Sequence, residues 1–80
     1  MSKYYNEIDK QTLREIGYAL WQERNARRLY LRTVATQTNL PARIIEGMEI
    51  GKFLQYSAFR RLLNFYGKRI RIVFEECREN

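Results

Sequence analysis

Residues 31–52, LRTVATQTNLPARIIEGMEIGK, decide how the rest of the chain is arranged. They read as two short helices around a tight turn. Val34, Ala35 and Thr38 fall on one face of the first at helical spacing. Asn39 follows, and asparagine enters the left-handed backbone region at little cost, so it can end that helix abruptly. Leu40 is the expected buried anchor after the turn. Pro41 suits a helix start, because the backbone N–H it lacks would have no intrahelical partner there. Ile45 and Met48, one turn apart, aim the second helix (42–49) inward. Ala35 is the small residue two crossing helices need where they approach closely. Together these features spell a helix-turn-helix.

Working outward, residues 1–9 are polar with Tyr4 and Tyr5 and form a lead-in without a clear period. From about Lys10 a helix is expected, with Leu13, Ile16, Gly17, Leu20 and Arg24 along one stripe. Gly17 weakens it by roughly 1 kcal/mol relative to alanine, a cost offset if another helix approaches closely there. Tyr18 and Trp21 fall off the stripe, where they pad the edge of the core or pack on the N-terminal segment, or, for Trp21, mark a partner surface. Downstream, FLQY (53–56) is a connector, Ser57 an expected N-cap, and Phe59, Leu62, Leu63 and Tyr66 the inward stripe of a fourth helix closed by Gly67. Arg60, Arg61 and Asn64 point outward. The period then changes. Residues 69–75, RIRIVFE, alternate, with Ile70, Ile72 and Phe74 on one face and Arg69, Arg71, Val73 and Glu75 on the other, as a half-buried β-strand does. Residues 76–80 are a polar tail.

Eighty residues make one small domain, 45% hydrophobic and 30% charged, which is globular rather than disordered. A chain of this size buries only roughly 60% of its unfolded surface, so association would help it. The net charge of +6 favours polyanionic partners, nucleic acid or an anionic membrane surface. Its longest apolar run is too short to span a bilayer and no signal peptide is legible, so a soluble, cytoplasmic protein with no membrane association is expected. One cysteine, Cys77, and no histidine exclude an internal disulfide framework and a Cys/His zinc site. With no histidine, no Gly-rich phosphate loop, no nucleophile-elbow pattern and no paired carboxylates, an enzyme is not expected, nor any cofactor. Cys77 reads as an incidental thiol.

The central stretch resembles the helix-turn-helix of the lambda-repressor/Cro-like family, also called XRE-like. The resemblance rests on Val34-Ala35, Asn39-Leu40, Ile45, Met48-Glu49 and Gly51-Lys52, with Ile16-Gly17, Leu20 and Arg24 upstream, and it covers about residues 13–66. Asn39 stands where the family has glycine, Gly47 where it usually carries a side chain, and the strand where many members place a fifth helix. The implied fold is mainly α: a four-helix domain over about 10–66, with a C-terminal strand at about 69–75. The implied function is a sequence-specific DNA-binding regulator, a repressor in character, whose helix 42–49 enters the major groove of double-stranded DNA. Carried over by position, base contacts fall on Ala42, Arg43, Ile44 and Gly47, with Arg43 suited to guanine O6 and N7. Phosphate contacts fall on Arg27, Arg28, Arg32 and Lys52. Arg24 and Glu49 occupy positions that pair in the family, and each is a charge on an otherwise apolar stripe.

A lone strand on a helical domain has no sheet to join, and its backbone groups need partners. The expected solution is a homodimer in which two copies pair antiparallel across a two-fold axis through Ile70, Ile72 and Phe74. A hairpin with residues 1–9 is the competing arrangement. A second function class also stands: an interaction module, such as the antitoxin of a toxin–antitoxin pair or a mobile-element accessory protein, with a protein partner and DNA binding secondary. Some antitoxins of the family end in such a strand.

Overall fold

The computed structural model describes residues 9–76. Within them lie four helices: α1 (Lys10–Ala26), α2 (Leu31–Thr38), α3 (Ala42–Glu49) and α4 (Tyr56–Tyr66). The third has the limits expected for the second half of the helix-turn-helix. Residues 1–8, with Tyr4 and Tyr5, and residues 77–80, with Cys77, lie outside the described part, as does any hairpin made by residues 1–8.

α1 opens on Asp9, whose carboxylate accepts a hydrogen bond from the Thr12 amide at 2.8 Å. That amide holds the Asp9 carboxyl below the usual carboxylate range. All four helices close in the same way. One or two residues beyond each end the backbone turns left-handed, at Arg28 (φ 55°), Asn39 (62°), Gly51 (81°) and Gly67 (70°). The next amide then returns to a carbonyl of the last turn: Leu29 to Arg24 (3.1 Å), Leu40 to Ala35 (3.1 Å), Lys52 to Gly47 (2.9 Å) and Lys68 to Leu63 (2.9 Å). These are Schellman closures. Glycine adopts the geometry freely and asparagine cheaply, whereas Arg28 does so against the steric preference of its side chain.

Leu20, Val34, Ile45, Met48, Ala58, Phe59, Leu62 and Tyr66 form the buried core, drawn from every helix. Leu40, the anchor after the turn, is partly buried against it. α3 lies against both α1 and α2, and α2 also meets α4. The approach of α3 to α1 is closest at Gly17, where any Cβ would collide with the carbonyl oxygens of Met48 and Glu49.

One expectation is corrected, and a second is not seen in the single chain. Ser57 is not the N-cap of the fourth helix: Gln55 occupies that place, with extended backbone and no capping side chain, and Ser57 lies inside the first turn. The Phe59 amide already bonds the Gln55 carbonyl at 2.9 Å, so the helix starts before a serine cap could act. Residues 69–75 form no strand, and no strand occurs among the described residues. Alternation supplies a strand with two faces but not with a ladder partner, and four helices offer none. Nor does the apolar row pack down on α4. Ile72 and Phe74 are 76% and 94% exposed, and Ile70 alone of the three lines an apolar groove of about 310 Å³ between α1 and α4.

Candidate nucleic-acid interface

α3 is held at its C-terminal end by charge. Arg24 Nε donates to Glu49 Oε2 at 2.8 Å and Nη2 to Oε1 at 2.9 Å, while Nη1 donates to the Leu29 carbonyl at 3.0 Å. One guanidinium therefore joins α1, the end of α3 and the loop into α2. The two side chains are 16% and 4% exposed, so the expected pair is present and largely removed from water. Its hydrogen bonds hold the Arg24 pKa above the ordinary value. A two-pronged guanidinium–carboxylate contact fixes orientation as well as distance. The Tyr66 hydroxyl is buried and makes no hydrogen bond among the described residues. Burial, reinforced by the Glu49 charge, pushes its phenol up to about 12.

With Ile45, Met48 and Glu49 turned inward, the outward stripe of α3 is Arg43, Glu46 and Gly47, continued by Ile50 just past its end. Arg43 is exposed, and its side chain makes no hydrogen bond or ion pair among the described residues. Of the other positions carried over as base-facing, Ala42 and Ile44 are half-buried, and Ile44 leans on the core. Gly47 is buried, and not by the core. The far edge of the Phe53 ring lies against it, so close that a Cβ at 47 would sit 2.5 Å from two ring carbons. An open concavity of about 430 Å³ runs along this face between Arg43, Ile44, Lys52 and Phe53.

The expected phosphate-binding residues divide into two groups. Arg28 and Lys52 are exposed, and Arg32 holds its guanidinium over the exposed Tyr30 ring at 5.4 Å. Arg27 is exposed but already engaged by its own fold. Its guanidinium donates to the Tyr66 carbonyl at 2.9 Å, lies 4.9 Å from the centre of the Tyr66 ring and pairs with Glu23 at 3.2 Å. It fastens α1 to the end of α4, so a phosphate must compete with three contacts. Arg61 is similarly tied, donating to the Thr38 carbonyl at 3.3 Å.

The N-termini of α2 and α3 carry no capping side chain and no acid in the first turn. Among the described residues, both therefore keep unpaired first-turn amides at a positive dipole end. From Arg27 to Phe74 the chain has ten lysines and arginines against two glutamates, one of which is neutralised by Arg24. The net field over this part of the molecule is positive. Sequence reading overlooked Phe53 and Tyr30. Tyr30 carried a faint signal, an aromatic among arginines in RRLYLR (27–32), but nothing in the connector marked Phe53 as a neighbour of Gly47. No family model matches this chain, and neither the curated proteins nor the solved structures yield a match.

Proposed function

We propose that this chain is a DNA-binding module of the lambda-repressor/Cro type, a sequence-specific transcriptional regulator and repressor rather than a catalyst. α3 enters the major groove, and Arg43 reads guanine through O6 and N7. Arg28, Arg32, Lys52 and the open N-termini of α2 and α3 engage the phosphate backbone and set the register. The observation that carries this reading is the orientation of α3. Its apolar side and Glu49 are locked into α1, so Arg43 is turned outward without a partner among the described residues, on one concavity with the exposed Lys52. In this reading the protein works as a homodimer. Residues 69–75 of two copies pair antiparallel with Ile72 near the two-fold axis, which sets the recognition helices about 34 Å apart for successive turns of the groove.

Selection from a random DNA pool with the purified chain, at about 150 mM salt, tests it, because purely electrostatic binding weakens steeply by that ionic strength. Enrichment of a palindrome is the expected result; no enrichment removes the reading. The dimer is tested by deleting residues 69–80 and measuring mass in solution. A truncated chain that stays dimeric, or a full-length chain that is monomeric at high concentration, removes the dimer.

A second reading has one observation in its favour. Ile72, Val73 and Phe74 are exposed, and another protein, such as a toxin bound by its antitoxin, would cover them as well as a second copy does. Failure of DNA selection together with a monomeric full-length chain favours this reading.

A further inference from the structure

Gly47 lies on the outward stripe of α3, yet it is buried, and the ring that buries it comes from outside the helix. The path is short. Gly51 turns the backbone left-handed, the Lys52 amide bonds the Gly47 carbonyl at 2.9 Å, and the chain doubles back so that residue 53 lies over residue 47. A side chain at 47 would displace the ring of Phe53 from this place. The glycine therefore vacates a place on the groove-facing side, and an aromatic ring fills it. That ring is not part of the buried cluster and is 38% exposed, with its far edge against Gly47 and the concavity shared with Arg43, Ile44 and Lys52 beside it.

We infer that Phe53, acting from the turn after α3, is a specificity-determining residue that makes apolar contact with a thymine methyl group in the base step beside the guanine read by Arg43. This rests on the proposed insertion of α3 into the major groove. The methyl at C5 of thymine is the apolar feature of that groove, and Phe is among the side chains suited to it. The ring of Phe53 reaches that region because no side chain at 47 occupies it.

Deoxyuridine, which is thymine without the methyl, supplies the test. In the DNA selected by the wild-type chain, each thymine is replaced singly by deoxyuridine and affinity is measured. At one position of each half-site the wild type is expected to lose about tenfold, within the range for one mismatched base pair. Phe53→Ala is expected to bind thymine and deoxyuridine there equally while keeping its preference for guanine at the Arg43 position. Phe53→Leu retains part of the discrimination, and it decides the matter if circular dichroism shows that the alanine variant has lost its helices. A ring that only shielded the backbone of α3 would leave the thymine/deoxyuridine ratio untouched by either substitution, and that result overturns the inference, as does wild-type indifference to every replacement. If the wild type selects no sequence at all, the DNA reading itself fails and the inference falls with it. A selected sequence without methyl dependence sinks this inference alone.

Discussion

The joint between α1 and α3 and the segment after α4 present opposite solutions to one problem. Both contain groups that water-facing protein does not leave alone. At the joint these are a guanidinium and a carboxylate on apolar stripes; after α4 they are the apolar side chains of Ile72, Val73 and Phe74. At the joint the chain supplies its own answer: Arg24 meets Glu49 with two hydrogen bonds, and Gly17 lets the helices come close enough for that to happen. After α4 the same chain leaves the apolar side chains in solvent. The difference teaches that pattern states what a segment needs, while topology decides whether its own domain can meet the need.

The comparison is broken most severely at the joint. Arg24→Met strands the Glu49 carboxylate, and a largely buried pair broken on one side costs about 3–5 kcal/mol of stability in urea unfolding. The double variant with Glu49→Met should recover much of that loss; additivity of the two single changes would show that the pair is not coupled. Gly17→Ala comes next. The new methyl group drives into the carbonyls that end α3, and an expected loss of about 1–3 kcal/mol outweighs the gain in helix propensity.

A pH titration sharpens the same region. The Tyr66 phenol titrates at 10.0 in the unfolded chain and near 12 in the folded one. Above pH 10 the unfolded state sheds a proton that the folded state keeps, so stability present below pH 10 declines from there to about pH 12. Comparing the wild type with Tyr66→Phe at matched pH isolates that decline. The phenylalanine variant should lack this component and be no less stable at pH 7, since it removes a buried hydroxyl that has no partner among the described residues. A decline identical in both would assign it to other groups.

Arg28→Gly tests a single backbone position. Relief of the left-handed strain, less the extra freedom glycine gives the unfolded chain, should raise stability by about 0.5–1 kcal/mol. The smallest effect belongs to the other side of the comparison. Phe74→Asp in a monomeric sample should change unfolding free energy by less than about 0.5 kcal/mol, because the side chain it replaces touches almost nothing. A larger loss at low concentration would mean that the segment already packs on its own domain.

Short-range pattern carried much of this protein. Helical spacing in LRTVATQTNLPARIIEGMEIGK set out two helices and their turn, Asn39 and Gly67 marked where helices end, and Gly17 marked a close approach. Such features depend on backbone preferences and on residues within one or two turns of each other, which is the range a sequence displays directly. The Arg24–Glu49 pair spans 25 positions, and it was legible only because family resemblance adds long-range information to the bare pattern. Other features were decided by tertiary structure alone. Arg27 reaches a carbonyl 39 residues away, Arg28 turns left-handed without any of the residue types that announce it, and Phe53 folds back onto Gly47 only because the end of α3 reverses the chain. The apolar alternation of 69–75 was equally plain in the sequence, but a β-strand exists only with a neighbour. Pairing is a property of what surrounds a segment, so side-chain period alone could not create it.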